Sequence, residues 1–367
     1  MQQRARRHHP EKVVPSEQFA KPLCVTPPPP VRQFSPTVMA DPNRARAILL
    51  TEGIWQNGTT IHYWFFREGH WSVPENQAEK VREAFAEWKA VGIGLEFEEV
   101  SQRSEAEVRI GYSLKKPHES KSAVGRTGVL DAAARFPNVP TTQYGWDLTQ
   151  DESGTAAHEL GHVLGLMHEH QSPFAGIRWH EQAVYDYFAG PPNNWDRETI
   201  VSNVLMKLDR RQVQGSKWDP DSIMEYAFPP GLIAEPRQYE RGLRPPGTLS
   251  DTDKQWALYW YPPRQAPITA QPFQSAAFDL TGGQQVDFEI KPAESRKYTL
   301  ETKGSTDAVL VLFEDVNGAP RYLSGDDDSG EERNASITYK LLQGRSYIAR
   351  LRLVYPGPTG KTSFMYY

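Results

Sequence analysis

The residues with the clearest chemical pattern are the histidines of one short segment. His158 and His162 stand four positions apart, and Glu159 directly follows the first of them. Residues four apart lie on one face of a helix, one turn above the other, so the two imidazoles can share one metal ion. Gly165 can take the left-handed conformation that ends a helix, and the chain can then turn back to His168. The segment therefore predicts a metal site with three histidine ligands.

This ligand set is typical of catalytic zinc, because three protein ligands leave one coordination position for water. Zinc lowers the pKa of such a water to about 7, and Glu159 lies close enough to take the proton without binding the metal. The hydroxide would attack a peptide carbonyl, and Glu159 would pass the proton to the leaving amine. A solvated helix with chance histidines is the alternative, but four of the ten histidines fall within 158–170.

Two segments carry a family resemblance. The spacing His-Glu-x-x-His-x-x-Gly-x-x-His over 158–168 resembles the elongated motif of the metzincins. The segment 222–226, Ser-Ile-Met-Glu-Tyr, resembles the Met-turn of the astacin family, whose usual form is Ser-Ile-Met-His-Tyr. The resemblance covers about 45–262 and implies a two-lobed catalytic domain with zinc in the central cleft. It also implies that Met224 packs beneath the metal, and that Tyr226 binds zinc and swings away to stabilise the oxyanion.

The chain departs from this family in places. Glu225 replaces the usual histidine, which leaves the surroundings of Tyr226 open. The disulfides of animal astacins are missing, and the segment after His168 resembles disulfide-free bacterial and fungal relatives. Glu169 either pairs with a new N-terminus after activation, as the corresponding acid does in classic astacins, or is a surface carboxylate. The segment 106–110 resembles the family's substrate-aligning edge strand.

A lone cysteine precedes the catalytic region. Cys24 lies in a polar, Pro-rich stretch, residues 1–44, that we interpret as an extended pro-segment. A thiolate is a strong zinc ligand and can fill the fourth position, which displaces the nucleophilic water and keeps an enzyme latent. The arrangement resembles the cysteine switch of matrix metalloproteases, although the flanking residues differ. The alternative is a lone thiol in a disordered tail.

The surrounding pattern predicts an α+β catalytic domain over residues 45–263. A strand is expected at 61–66, and a helix follows it with Ser72 as a possible N-cap. Apolar residues at helical spacing mark its buried face, namely Ala78, Val81, Phe85 and Trp88. A second helix over about 152–166 carries the histidines, 171–250 is rich in loop residues, and 253–261 forms a closing helix.

Residues 268–367 have a different pattern. Seven apolar or aromatic strand candidates alternate there with turn residues, which is typical of an antiparallel β-sandwich. The turn motifs at 326–330, 334–335 and 342–347 resemble those of the bacterial pre-peptidase C-terminal domain. The acidic turn of Asp326, Asp327 and Asp328 either binds calcium through its carboxylates or is a solvated turn.

The net charge and the lengths of the apolar runs limit the classes of partner that we expect for this chain. The formal net charge is −5 with both signs interspersed, which argues against nucleic acid as the main partner. No run approaches the ~18 apolar residues of a membrane span. The chain start, as given, lacks the apolar core of a secretory signal. We expect a secreted monomer that acts on proteins or peptides, with zinc as cofactor and calcium as a second candidate.

The sequence leaves two alternative functions. One is a binding or adhesion protein that uses the β-sandwich and keeps a structural metal; Glu159 speaks against it, because a structural site has no need of a carboxylate beside its first histidine. The other is a thermolysin-like peptidase, which requires a distant glutamate as third ligand. The spacing of Gly165 and His168 speaks against that class, as does the Met-turn.

Overall fold

The computed structural model describes Cys24 and residues 53–55, 57–114, 119–209, 217–280, 285–306, 308–331, 334–353 and 360–367. Apart from Cys24, the predicted pro-segment lies outside the described residues. The helices of the described part are α1 (Glu75–Ala90), α2 (Gly125–Arg135), α3 (Thr155–Val163), α4 (Glu181–Phe188), α5 (Arg197–Ile200), followed by the π-helical turn Val201–Leu205, and α6 (Asp251–Trp260). Among the described residues, no helix combines the length and apolar character needed to cross a membrane.

A mixed five-stranded sheet forms the first half of the catalytic region. Its strands are β1 (Thr60–Phe65), β2 (Glu96–Glu99), β3 (Val108–Tyr112), β4 (Lys121–Ser122) and β5 (Thr142–Tyr144), in the order β2-β1-β3-β5-β4. All neighbouring pairs are parallel except β4 with β5. The prediction of an edge strand at 106–110 is wrong, because β3 pairs on both sides. The edge position belongs to β4, whose two residues give too short a pattern to detect.

Helix α1 packs against this sheet and against α3. The four predicted apolar residues are all buried, namely Ala78, Val81, Phe85 and Trp88. The Trp88 indole donates a hydrogen bond to the backbone oxygen of Ala157 in α3, at 2.9 Å. The predicted N-cap is wrong: Pro74 occupies that position, and the Ser72 hydroxyl donates to the Arg67 backbone oxygen instead.

The segment 171–250 contains more regular structure than its composition suggests. Helices α4 and α5 lie in it, together with the antiparallel pair β6 (Arg178–Trp179) and β7 (Ile233–Glu235). Val184 and Phe188, four apart on α4, are both fully buried in a second apolar core. That core also includes Cys24 and Tyr226. This part of the chain therefore packs beside the candidate metal site.

The C-terminal region consists of two sheets that share one core. Their strands are β8 (Ile268–Thr269), β9 (Ala276–Leu280), β10 (Gln285–Ile290), β11 (Arg296–Gly304), β12 (Ala308–Val316), β13 (Ala319–Asp326), β14 (Ser336–Leu341), β15 (Ser346–Leu353) and β16 (Gly360–Tyr366). The orders are β13-β12-β15-β10-β8 and β14-β11-β16-β9, antiparallel except for β8 with β10. Phe288 of one sheet stacks on Phe364 of the other, with ring centroids 4.3 Å apart.

Strand β13 was missed by the sequence prediction. It forms a hairpin with β12 through Asn317 and Gly318, both of which have positive φ, at 56° and 86°. An Asn-Gly pair in this conformation is a strong hairpin signal, so the dipeptide itself was the available clue. The strand ends at Asp326, so the first aspartate of the predicted acidic turn belongs to the sheet.

Candidate metal centre

Hydrogen bonds at both ends of helix α3 define where it begins and ends. At the start, the Asp151 carboxylate accepts from the backbone N–H groups of Ser153 and Thr155, at 3.1 and 2.8 Å. At the end, Gly165 has φ of 102°, its N–H donates to His162 O, and Leu166 N–H donates to Gly161 O. This pair of bonds is a Schellman motif, which needs a residue tolerant of positive φ. The helix therefore stops one residue after His162 and frees the chain to return.

Four potential ligands converge at the end of this helix. One ligand atom from each of Cys24, His158, His162 and His168 lies within 4.8 Å of all the others, and all four residues are buried. Ligands of a tetrahedral zinc are about 3.3–3.8 Å apart, since they stand about 2.0–2.3 Å from the metal. The structure thus brings together the three predicted histidines and the predicted cysteine.

Hydrogen bonds determine which ring nitrogen of His158 and His162 is available to bind a metal. His158 Nδ1 donates to Ile223 O at 2.7 Å, and His162 Nδ1 donates to Leu166 O at 2.8 Å. Both Nε2 atoms therefore carry lone pairs. Among the described residues, His158 Nε2 has no hydrogen-bond partner, and His162 Nε2 lies 3.1 Å from His168 Nε2. Clustered buried lone pairs are favourable only around a cation, so the arrangement fits a metal ion.

Burial keeps these histidines neutral. It lowers the pKa of His158 to about 4, and it lowers the pKa values of His162 and His168 well below the ordinary value. The neighbouring histidines add to the effect at His162 and His168, because like charges disfavour the protonated form. Neutral imidazole is the form that binds metal, so the ligands need lose no proton at neutral pH.

Glu159 is fully buried beside the same cluster. Its Oε2 accepts a hydrogen bond from Cys24 Sγ at 3.5 Å, and its Oε1 has no hydrogen-bond partner among the described residues. Burial raises the pKa of Glu159 to about 8, against smaller lowering effects of the Cys24 hydrogen bond and of Lys121. A cation at the adjacent ligand cluster acts against this rise, because it favours the carboxylate form. A metal ion in the cluster thus favours the Glu159 carboxylate, the form that can accept a proton.

Cys24 is brought to the site from 135 residues away in the sequence. Its side chain is buried, and burial raises the pKa of the thiol, with the Glu159 carboxylate adding to the rise. A backbone hydrogen bond from Ser122 on the edge strand β4 works in the opposite sense. Without a metal, the cysteine is therefore a thiol that donates to Glu159.

Tyr226 contacts the cysteine and two histidines. Its hydroxyl donates a hydrogen bond to the backbone oxygen of Cys24. Its ring centroid lies 4.3 Å from that of His168 and 4.5 Å from that of His170. Burial is the largest cause of its strongly raised pKa, so the hydroxyl is a hydrogen-bond donor here. The predicted tyrosine thus lies at the metal centre.

The predicted Met-turn lies directly beneath α3. A Cβ atom added to Gly161 would stand 2.4 Å from Met224 Sδ, so the glycine makes room for the methionine. The Asp253 carboxylate in α6 accepts from the Ser222 hydroxyl at 2.6 Å and from the Ile223 N–H at 2.8 Å. The closing helix therefore holds the turn whose Ile223 oxygen orients His158.

Three acidic or basic residues near the site have surroundings that the sequence leaves open and the structure decides. Glu169 is not a plain surface carboxylate: its Oε1 accepts from Asp219 N–H at 3.0 Å, and burial raises its pKa to about 7. His170 is fully buried. Its Nδ1 lies 3.4 Å from Glu225 Oε1. The unusual glutamate at 225 was the available signal for a polar partner nearby.

The acidic turn of the C-terminal region has a structural use. The Asp326 carboxylate accepts from the Ser329 N–H at 3.0 Å, from the Ser329 hydroxyl, and from the Ser336 N–H at 2.7 Å. Asp327 and Asp328 do not join it in a group with metal-binding spacing, since within the described ranges such a group occurs only at the histidine cluster. The calcium prediction thus gains no support, and the solvated-turn alternative accounts for Asp326.

Comparisons with known proteins agree with this geometry. Residues 54–174 match the family model of the matrixins, Peptidase M10. Karilysin of Tannerella forsythia is 26% identical over 164 residues, 41% of this chain and 33% of karilysin. Human Tolloid-like protein 2 is 33% identical over 103 residues, 26% of this chain and 9% of that protein. The chain therefore spans a third or less of these two relatives.

A solved structure of myroilysin is similar at the level of the fold. It has a TM-score of 0.51 and 29% sequence identity, and the match covers 59% of this chain and 98% of the myroilysin chain. The chain therefore contains a metzincin-type metallopeptidase domain with the matrixin signature, in a mixed α/β fold.

Proposed function

We propose that this chain is a zinc-dependent endopeptidase of the astacin-like type, held latent by Cys24. One observation carries the proposal: three neutral histidines and a cysteine place their ligand atoms within 4.8 Å of one another, beside the buried carboxylate of Glu159. A structural Cys-His₃ site needs no such carboxylate. Tyr226 and the Met-turn support the astacin-like assignment, and the matrixin and myroilysin matches support the wider class.

In this proposal His158, His162 and His168 hold the zinc ion in the active form. When bound, zinc acidifies the attacking water and polarises the peptide carbonyl. Glu159 accepts a proton at Oε2, the atom that now accepts from the Cys24 thiol, and delivers it to the nitrogen of the leaving amine. The Cys24 sulfur thus stands in for the water, and its hydrogen bond to Glu159 marks the path of the proton.

Tyr226 is assigned the oxyanion role. Its hydroxyl now donates to a backbone carbonyl oxygen, that of Cys24, which is the same chemical group as the oxygen of a scissile peptide. A preorganised donor of this kind contributes to catalysis when it binds the developing negative charge more strongly than the ground state. The raised pKa of Tyr226 keeps the hydroxyl protonated for that task.

Latency follows from the position of the cysteine. Its sulfur lies among the metal-binding nitrogens, and its backbone oxygen engages Tyr226, so one residue occupies both the nucleophile and the oxyanion positions. Activation requires that Cys24 leave.

We further propose that the catalytic region is two-lobed, with the zinc between β4 on one side and the core of residues 171–250 on the other, and that the C-terminal sheets form a β-sandwich of the pre-peptidase type. Secretion, a monomeric state and protein substrates complete the proposal.

The deciding experiment measures zinc content and casein hydrolysis on four forms: the intact chain, Cys24→Ala, Glu159→Ala and the double variant that carries both substitutions. We expect zinc in all four, because none of them loses a histidine ligand. Cys24→Ala raises the activity of the intact chain towards that of a form cleaved after about residue 40. Placed in the Cys24→Ala background, Glu159→Ala lowers it by about 10³-fold or more, the scale on which catalytic groups act.

Each arm can fail separately. Unchanged activity in Cys24→Ala contradicts the cysteine switch and leaves the peptidase assignment in place. Continued hydrolysis in the variant that carries both Cys24→Ala and Glu159→Ala contradicts the proposed role of Glu159. Absence of zinc from every form overturns the metal assignment itself.

A further inference from the structure

A cluster of buried polar side chains borders Tyr226 and takes no part in the mechanism above. It consists of Glu225 and His170, whose side chains are 0% exposed, and it is bordered by the partly buried Trp218. A fully buried carboxylate and a fully buried imidazole are costly unless each finds polar partners. These two costly groups lie directly beside Tyr226, the candidate oxyanion donor.

The carboxylate of Glu225 connects three parts of the chain. Its Oε1 accepts from the backbone N–H of Tyr226 at 2.8 Å and lies 3.4 Å from His170 Nδ1. Its Oε2 accepts from the Trp218 indole at 2.6 Å. One side chain thus joins the Met-turn to the segment after the third zinc ligand and to the loop that contains Trp218. Both oxygens are used, which offsets the cost of burial.

His170 fixes the ring of Tyr226 from one face. Its Nε2 donates to Asn203 O at 2.9 Å, which holds the ring, and Lys207 Nζ donates to the backbone oxygen of His170 at 2.7 Å, which holds the main chain. Its ring lies 4.5 Å from the Tyr226 ring, with 33° between the planes. Tyr226 therefore packs against His170 as well as against His168.

We propose that Glu225 and His170 are positioning residues for Tyr226. Glu225 fixes its backbone N–H and His170 fixes its ring, and together they direct the hydroxyl towards the carbonyl oxygen that it must bind. In the latent chain this oxygen belongs to Cys24; in the active enzyme it belongs to the substrate. The inference rests on the proposed function, because that function gives Tyr226 its oxyanion role.

The first test reads the latent chain and needs no catalysis. It measures the rate at which iodoacetamide alkylates Cys24 in the intact, zinc-loaded protein, for the wild type, Glu225→Gln, Tyr226→Phe and the double variant. Each single variant raises the rate about two- to tenfold, the factor expected from the loss of one neutral hydrogen bond. The double variant reacts no faster than Tyr226→Phe alone. Multiplied effects, or no effect of Glu225→Gln, overturn the proposal.

The second test reads catalysis in the Cys24→Ala background. Glu225→Gln and His170→Gln each lower kcat about tenfold on a peptide substrate and leave KM nearly unchanged, because a misplaced donor weakens the transition state and not substrate binding. In the Tyr226→Phe background neither substitution lowers kcat further. A loss of the same size with and without the hydroxyl means a merely structural role and overturns the inference.

Asp253→Asn is the matched control. Asp253 is also a buried carboxylate that holds the Met-turn, but it does so through Ser222 and Ile223 and not through Tyr226. Its effect on kcat persists in the Tyr226→Phe background. If the Cys24→Ala chain shows no hydrolysis at all, the proposed function fails, and the alkylation rates still decide the positioning role on their own.

Discussion

At the scale of single residues, the site depends on groups whose ordinary chemistry is changed by burial. The three histidines are kept neutral, which is the form that binds metal, and the Tyr226 hydroxyl is kept protonated, which is the form that donates. Burial raises the pKa of Glu159 to about 8, and a cation at the ligand cluster acts against that rise. The hydrogen bonds to Ile223 O and Leu166 O orient His158 and His162, because they turn the Nε2 atoms of both rings towards one point.

The depressed pKa of His158 predicts a pH effect on the metal-free chain. Between its folded pKa of about 4 and its ordinary value of 6.5, the unfolded state binds the proton and the folded state does not. This histidine therefore lowers the free energy of unfolding as the pH falls from 6.5 towards 4, and has no such effect above 6.5.

The measurement compares wild type with His158→Asn by chemical denaturation from pH 7.5 to 4.5, after metal removal. Glu159 and Glu169 have raised pKa values, which make the protein more stable as the pH falls. They do so in both proteins, so their contribution drops out of the difference. The stability of the wild type relative to the variant falls as the pH is lowered. A difference that stays constant with pH contradicts the neutral, buried state of His158.

At the scale of elements, the site is the place where α3, the Met-turn and α6 meet. Helix α3 carries two of the candidate ligands and the proposed base, and its Schellman end returns the chain towards His168. The Met-turn supports α3 from below and supplies the oxygen that orients His158. Helix α6 holds that turn through Asp253. The arrangement depends on close contact, since Met224 sits where a side chain of residue 161 would otherwise stand.

Gly161→Ala tests this contact. The new methyl group would lie 2.4 Å from Met224 Sδ and 3.4 Å from the Trp88 ring, so the methionine must move. Overpacking of this kind costs about 1–3 kcal/mol, although alanine is about 1 kcal/mol better than glycine within a helix. We expect lower stability and weaker zinc retention, measured by thermal unfolding and by competition with a chelator.

Gly128→Ala in α2 is the matched control. The closest atoms to its added methyl are those of Ala123, at 3.8 and 4.0 Å, which is ordinary contact. Helix propensity alone should make this variant about 0.5–1 kcal/mol more stable. If Gly161→Ala gains stability to the same degree, the close packing of α3 on Met224 contributes nothing to the free energy of unfolding.

At the scale of the whole molecule, the C-terminal sheets are packed onto the catalytic region and not merely tethered to it. Arg352 donates to the backbone oxygen of Trp260 at 3.2 Å, and Asn57 donates to the Gln285 side chain at 3.1 Å. A Cβ atom on Gly58 would lie 2.7 Å from the guanidinium of Arg350. That guanidinium forms a buried, two-point pair with Asp287, at 2.8 and 2.7 Å.

Asp287→Ala is predicted to be strongly destabilising, because it leaves the Arg350 charge buried and unpaired, at a cost of about 3–5 kcal/mol. The exposed pair of Arg135 and Asp131 gives the control: Asp131→Ala should cost about 0.5 kcal/mol or less. Urea denaturation measures both, and limited proteolysis of residues 263–268 reports whether the two regions separate. Equal costs for the two substitutions contradict the view that the buried pair of Arg350 and Asp287 stabilises the fold more than an exposed pair does.

The sequence determined those features that short-range geometry dictates. Histidines four apart on a helix must share a face, a glycine three residues on can end that helix, and alternating apolar runs must form strands. For these reasons His158, Glu159, His162 and His168, the buried face of α1 and most C-terminal strands were predictable. The short edge strand β4 and the short helices of 171–250 were not predictable, because segments of two to eight residues are too short to show a clear periodicity and tertiary packing decides their structure.

Only the tertiary structure decided which distant groups meet. No local pattern relates Cys24 to Glu159 across 135 residues, or relates Glu225 to His170 and Trp218. It also decided the protonation of the site, since pKa values follow from burial and from neighbours that the linear order does not reveal. The sequence thus named the candidate metal ligands, Cys24 among them, and the candidate base. Folding supplied the contacts that bring Cys24 to Glu159 and the network around Tyr226.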